Sequence, residues 1–489
     1  MAGGTWSPTS KPVLPGLYAR FEAAALASIQ PGQRGVVAVV GTAEWGPNDE
    51  FVSIRRASDI ERNFGPDPGG DSLHLHLTLA LLGNPREIKA YRITHGDGVV
   101  GTKTLQDTAG SPANVLKLDC KYVGAEGNEF AVTTRQTPGQ TSTHRDLLLY
   151  WNGELLKTWT YAIADGIGDL VSQINADADN VWVDATELNA GGNDTLAEVT
   201  SSAFASGDNG GAVTSDDYAA YQDALELEET VEAFTMGTIS DDAILVAAQA
   251  WAVQVRNEGR YIVGVVGDNS SSALATAKAL AASLDHESMI VVANGGILAG
   301  TTYTPAQTAS YVAGAMVGQQ LSESLTYHAT PFTDVATRYS RSEREDAVQN
   351  GCLALVNDGQ IVKIEKGINS LITLRTGQDN KWRKIRTIRI MDAWSTDIQR
   401  TAENAYIGKI INDDDGRSAL IGAIKAYMRV QVQGRLAEDS AQFPLVVQLD
   451  PTYYGANATL DPEPDEAYVQ IGCRITDTID YCFLTVKVQ

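Results

Sequence analysis

Residues 260–292 read RYIVGVVGDNSSSALATAKALAASLDHESMIVV. Arg260–Val266 is a short apolar, β-branched run that predicts a strand, Ser272–Leu284 predicts a helix, and Ser288–Val292 predicts a second strand. Strands alternating with helices imply a parallel or mixed sheet covered by helices. The same rhythm extends outward. Gly35–Gly41 (GVVAVVG) is an apolar strand bounded by glycines, Phe51–Ile54 a short second strand, and Glu87–Ile93 an alternating third. Ser58–Phe64 predicts a short helix, with Ser58 as its cap and Glu61 three residues on. Leu73–Leu82 predicts another, stopped by Gly83 and Pro85. Further helices are expected at Ser215–Leu225, Ala243–Asn257 and Thr304–Gln320; the last is rich in Ala and Gly, which implies close approach of another backbone.

Residues 100–212 break this rhythm. Strand-like runs recur at Asn114–Cys120, Glu129–Arg135, Asp146–Trp151 and Thr158–Ala162, with one short helix at Leu170–Ala176 and a loop-rich stretch at Gly191–Gly211. Residues 345–375 read as a β unit whose hairpin turns at Asp358-Gly359. Trp382–Ile390 predicts a strand, Met391–Tyr406 and Ser418–Val432 amphipathic helices, and Ala467–Ile475 and Tyr481–Val488 two terminal strands. Pro8, Pro12 and Pro15 bar a helix at the start of the chain, where apolar residues are sparse. The fold class is therefore α/β (α+β) and multidomain: an N-terminal arm (1–20), a mixed-sheet α/β core (21–99 and 213–360), an inserted mainly β domain (100–212), a C-terminal α+β domain (361–474) and a C-terminal arm strand (475–489).

The 489 residues carry 37 basic and 61 acidic side chains, a net charge of −24. A phosphate backbone would be repelled by such a surface, so nucleic-acid binding is disfavoured. The opening MAGGTWSPTSKPVLPG has no basic stretch followed by an apolar run, so no signal peptide is expected. No segment approaches ~18 consecutive apolar residues. A protein made and folded in a cytoplasm is expected, with Cys120, Cys352, Cys473 and Cys482 as reduced core residues, since none form a CxxC pair.

Catalytic, cofactor and metal signatures fail in turn. No GxxxxGK[ST], HExxH or GxSxG occurs. Asn412–Gly416 (NDDDG) resembles a calcium loop, but its register would put Ile411 and Gly422 at the first and last ligand positions. It reads instead as a polar loop capping the helix that begins near Arg417. His74 and His76, two apart on a helix, fall on different faces. Gly264–Asp268 ends a strand where α/β enzymes bind ligands, but without a glycine fingerprint. No nucleophile, base and orienting group converge, so no catalytic residue, cofactor or metal is assigned.

Five stretches, in order, resemble contractile-tail sheath proteins. VLPGLYARFEAAALASIQPGQRGVVAVVGTAEWGP (13–47) resembles the family's opening segment. KYVGAEGNEFAV (121–132) resembles the start of its inserted β domain, with Val123 where proline is usual. VAGAMVGQQLSESLTY (312–327) resembles the AGxxAGxxxxxSLTY helix. REDAVQNGCLALVNDGQIVKIEKGINSLITL (344–374) resembles the segment ending GINTL, with Ser370 for threonine. IRIMDAWSTDIQRTAENAYIGKIINDDDGRSALIGAIKAYM (388–428) resembles the C-terminal domain. The likeness points to phages and defective prophages of Gram-positive bacteria.

The resemblance implies a virion or particle tail protein assembled in a host cytoplasm. Such subunits form hexameric rings stacked helically around a tube, bounded by baseplate and terminator proteins, with no membrane or direct nucleic-acid contact. It also implies that residues 100–212 face outward. Terminal strands invite pairing with another chain, which makes Val13, Leu17, Tyr18, Phe21, Tyr481, Phe483, Leu484, Val486 and Val488 candidates for inter-subunit arms. Residues 361–410 hold ten basic and five acidic residues in an otherwise acidic chain. Lys381, Arg383, Lys384, Arg386, Arg400 and Lys409 are the tube-facing candidates. The competing readings are a type VI secretion sheath, which usually divides its segments between two polypeptides, and an α/β enzyme with an inserted β domain.

Overall fold

The computed structural model describes residues 28–140, 142–188, 195–239, 241–270 and 272–485, and the backbone of Gly3–Gly4 and Leu17–Tyr18. It divides into two compact units, Gln33–Ile388 and a unit of the two chain ends, Met1–Gly32 with Arg389–Gln489.

The first unit is built on a seven-stranded sheet. Its order is Cys352–Leu353, Met289–Val292, Val263–Gly267, Ala233–Thr235, Val36–Gly41, Glu87–Arg92 and Phe51–Ile54. Neighbours run parallel, except that Phe51–Ile54 is antiparallel to Glu87–Arg92. Val36–Val40 is buried throughout, as a strand covered on both faces must be. The two-residue period sends Val37 and Val39 into one core and Val36, Ala38 and Val40 into the other.

Helices α1 (Ala57–Phe64) and α2 (Leu73–Leu82) supply apolar residues to the first of these cores. The α1 cap is not Ser58: the helix begins one residue earlier, and Asp59 Oδ2 accepts from the amides of Arg55 (3.0 Å) and Arg56 (3.2 Å). A carboxylate three positions in satisfies those orphan amides directly.

Between Glu87–Arg92 and Ala233–Thr235 the chain forms the expected β module. One antiparallel sheet has the order Glu154–Ala162, His144–Trp151, Phe130–Gln136, Val199–Ala203; a second has Val183–Glu187, Asn114–Val123, Val100–Gln106. Helix α3 (Gly166–Ala176) contributes Ile167, Leu170 and Ile174 to their shared core. That core also contains Trp45, from the loop after the first strand, with its ring 4.9 Å from Phe130 and 5.4 Å from Tyr122. Beside it Arg92 is fully buried and donates to the carbonyls of Ala43 (2.8 Å), Gly46 (2.8 Å) and Val123 (2.9 Å). Burial pushes its guanidinium down to about 10. A buried charge is tolerated only when hydrogen-bonded in this way.

Helices α4 (Ser215–Glu226), α5 (Asp242–Asn257) and α6 (Leu274–Leu284) pack on the second face of the seven-stranded sheet. Helix α7 (Pro305–Gly318) lies on the first, and nearly every residue of it is buried. The expected close approach is present: a Cβ on Gly314 would collide with the Ala80 carbonyl of α2, and one on Gly318 with that of Gly83. Residues 345–349 belong to α8 (Arg341–Gln349) rather than to a β unit, because Ser340 and Glu343 form a capping box. The Asp358-Gly359 hairpin joins Leu355–Asn357 to Val362–Ile364.

Trp382–Ile390 is not a strand. A 3-10 turn, Asn380–Arg383, is capped by Asp379, and α9 (Ile385–Ala405) follows. Alternation and a helical stripe are hard to distinguish in KWRKIRTIRI, where buried Ile385 and Ile388 are three residues apart. Residues 361–388, expected in the C-terminal domain, lend Val362, Ile364 and Ile385 to the core of the first unit. In the second unit, α10 (Asp414–Gln433) starts three residues before Arg417 and is capped by Asp413, whose Oδ1 accepts from the Gly416 amide at 2.8 Å.

Gly314→Val removes the space in which α2 and α7 meet. Overpacking costs about 1–3 kcal/mol, and rigid backbone opposite the new side chain favours the upper end. Calorimetry should show a clear fall in the unfolding temperature of this variant, and an unchanged temperature would contradict the close contact.

Candidate assembly surface

The second unit contains two small ladders. Val446–Leu449 pairs antiparallel with Val469–Gly472, and Ala437–Glu438 with Arg474–Ile475. Each has only two strands among the described residues and packs against α10. Beyond Ile475 the described chain joins no helix or strand. The expected strand from Tyr481 is absent over Tyr481–Thr485, which pair with no strand among the described residues. Ile479 is 88% exposed, Tyr481 66%, Phe483 93% and Leu484 84%. Cys482 is exposed on the same segment and Cys473 half-buried, which corrects the reading of all four cysteines as core. Cys120 and Cys352 are buried, and burial pushes both thiols up to about 12.

Among the other arm candidates, Leu17 and Tyr18 lie in a two-residue strand parallel to Gly3–Gly4. Val13, Phe21, Val486 and Val488 lie outside the described residues.

The basic candidates separate by environment. In the first unit Lys381 is exposed, 3.5 Å from Asp379. Arg383 is turned inward, donating to the carbonyls of Leu371 (3.0 Å), Val348 (3.1 Å) and Gln349 (2.6 Å). Lys384 is half-buried and Arg386 buried. In the second unit Arg400 is half-exposed, 3.8 Å from Asp397, and Lys409 is exposed, donating to the Asn404 carbonyl. Charge alone could not separate a guanidinium committed to backbone carbonyls from one offered to solvent.

One constellation escaped sequence reasoning. His76 Nδ1 lies 2.7 Å from Ser310 Oγ and His76 Nε2 lies 3.3 Å from Asp71 Oδ1. This joins a hydroxyl, an imidazole and a carboxylate, the groups of a hydrolase triad. Ser310 is fully buried on α7 and His76 is buried on α2. The array therefore serves as a polar tie between the two helices, with its hydroxyl closed to any substrate. Ser310 is 234 positions from His76, a separation no motif reveals. His74 bonds elsewhere, with Nε2 2.9 Å from the Gly65 carbonyl. No group of three or more potential ligands that could hold a metal ion occurs among the described residues, and none of their helices is long and apolar enough to cross a membrane.

Two family models match the chain: "Phage tail sheath protein central domain" over residues 211–370 and "Phage tail sheath C-terminal domain" over residues 377–489. Together they cover more than half of it. The chain belongs to the phage tail sheath protein family. It is 26% identical over 410 residues to the PBSX phage-like element protein XkdK of Bacillus subtilis, covering 82% of each chain. The fold is shared with the sheath tail protein of Desulfitobacterium hafniense at a TM-score of 0.70 and 24% identity, over 94% of this chain and 100% of that one. It is shared also with the helical sheath of the anti-feeding prophage in its contracted state, at a TM-score of 0.56 and 12% identity, over 98% of this chain and 99% of that one. It is a tail sheath protein of the phage kind.

Arg383 and Lys381 should behave differently on substitution. Arg383→Met removes a donor from three carbonyls, of which Val348 keeps the Gly351 amide, and should cost about 1–3 kcal/mol, whereas Lys381→Met should leave stability within experimental error. Chemical denaturation of the two sheath variants checks the contrast.

Proposed function

We propose that this sheath protein polymerises as hexameric rings stacked in a helix around an inner tube, and that the polymer shortens to drive the tube through a target envelope. The work is mechanical, without catalysis or cofactor. The particle forms in the host cytoplasm, with baseplate and terminator proteins at its two ends. The observation that carries this reading is the segment Ile479–Leu484, whose apolar side chains are exposed in a chain that also holds two incomplete ladders. Adding that segment as a strand to a neighbour's sheet would bury the apolar groups and extend a two-stranded ladder together. Repeated head to tail without closure, such a contact produces a helical polymer. The N-terminal arm is assigned the same role.

The tube contact is assigned to the exposed members of the basic set, Lys381, Arg400 and Lys409. Charge contacts of this kind steer association and set register, while each exposed pair contributes only about 0–1 kcal/mol. Many can therefore release together. The β module, residues 100–212, is placed on the outside of the polymer.

Truncation after Ile475 should abolish polymers in electron micrographs while leaving the unfolding temperature of the core unchanged. Normal sheaths from the truncated chain would overturn the arm assignment. Lys381→Glu with Lys409→Glu should impair assembly on the tube and spare polymers formed without it; equal loss of both would argue against a tube contact. An epitope placed in the turn at Pro138-Gly139 should be accessible to antibody on intact sheaths, and an inaccessible one would reject the outward placement.

A further inference from the structure

Two segments join the α/β layer to the inserted module, and side chains fasten them to each other. The outgoing segment, residues 93–99, and the returning one, residues 207–214, are both glycine-rich (THGDG, 94–98; GDNGG, 207–211), so their backbone alone offers little stiffness. They meet at a bridge where Val99 and Asp208 exchange amide-to-carbonyl bonds of 3.0 Å. Asp97 Oδ1 accepts from the Gly211 amide at 2.8 Å. The His95 ring lies on the returning segment, where a Cβ added to Gly211 would stand 3.2 Å from its Cδ2. Its Nδ1 is 3.1 Å from Oδ2 of Asp217, in the first turn of α4 and 122 positions away. The same oxygen accepts from the amide and the hydroxyl of Thr214 at 2.7 and 2.8 Å. One carboxylate oxygen therefore caps α4 and holds the imidazole together.

Acidic groups surround this imidazole. Asp217 faces it from α4 and Asp97 from its own segment. It opens on a cleft of about 220 Å³ lined also by Glu44, from the loop after Val36–Gly41, and Asp71, from the loop before α2. Neither lysine nor arginine is in that lining. Thr94, beside it, donates to Asp49 at 3.0 Å. The Asp217 hydrogen bond, and then the charges of Asp217 and Asp97, hold the His95 pKa above its ordinary value against desolvation. Burial pushes the Asp217 carboxyl up, but the bonds from Thr214 and His95 outweigh it and leave it below its ordinary value. Asp217 is thus an anion throughout the range in which an imidazole titrates.

We propose that His95 is a proton-operated clasp on the neck of the inserted module, closed while the ring is an imidazolium and slack once it is neutral. The imidazolium makes a charge-assisted bond to Asp217, about twice as strong as a neutral one. The neutral ring keeps that contact only in the tautomer with its proton on Nδ1. Trp45 and Arg92 keep the module seated in either state. The clasp governs how firmly the returning segment and the first turn of α4 are held. Because the folded-state pKa is raised, the hold is fully present below the ordinary imidazole value of about 6.5 and is lost as pH rises through the raised value. Acid therefore stiffens the neck and alkali frees it. The inference concerns the chain itself and does not depend on the sheath reading.

The test is amide hydrogen exchange of the full-length chain, read by mass spectrometry at about pH 6 and about pH 8, with each rate divided by its intrinsic rate at that pH. Peptides spanning residues 207–218 should lose protection several-fold at the higher pH, while peptides spanning Val36–Gly41 should not change. His95→Gln, neutral at both values, should keep the neck at its less protected level in both buffers. His95→Lys, charged at both, should keep it at the protected level. The His95 side chain is 38% exposed, so both variants should fold, and the protection of Val36–Gly41 reports whether they do. Equal protection of the unmodified neck at both pH values would overturn the inference. So would a pH dependence that survives in His95→Gln, which would assign the titration to another group. A loss shared equally by Val36–Gly41 would mark a change in global stability and count against the clasp.

Discussion

The backbones of two helices touch where α2 passes α7, and the first unit is organised around that contact. Side chains usually hold helices 8–10 Å apart. Here Gly314 and Gly318 let α7 settle against Ala80 and Gly83. The close approach lets α7 be buried on nearly all sides while still covering the sheet. It also brings Ser310 within reach of His76, so the polar atoms buried by the approach satisfy one another. Dense packing leaves little tolerance for an added methylene.

The α/β layer was legible because its signals agree. A strand such as Val36–Gly41, apolar on both faces, can belong only to a covered sheet, and α2 occupies Leu73–Leu82 as its pattern and the following Gly83 indicate. The Asp358-Gly359 turn was equally plain. Errors fell where two periods coincide or where a cap has rivals. Ile385 and Ile388 fit a strand or a helix until the tertiary core selects one, and Asp59 displaced Ser58 because it reaches two backbone amides together.

The surfaces were harder to read, for a physical reason. Assembly surfaces are defined by what a chain leaves unsatisfied, and residue type does not report satisfaction. Arg383 and Lys381 are alike in sequence, yet one is committed to three carbonyls and the other projects into solvent. Family likeness located the broad role, whereas exposure separated the residues available to a neighbour from those already in use.

Trp45 and Arg92 belong to the α/β layer by sequence, yet one completes the core of the inserted module and the other binds its backbone. The module is thus not an independent cassette held by two linkers. A chimera that exchanges residues 100–212 for those of a relative inherits a socket shaped for a foreign indole and guanidinium. Divergence in this region should therefore concentrate in its peripheral turns while the socket co-varies with Trp45. Anyone decorating such particles with cargo would do better to extend a turn than to replace the module.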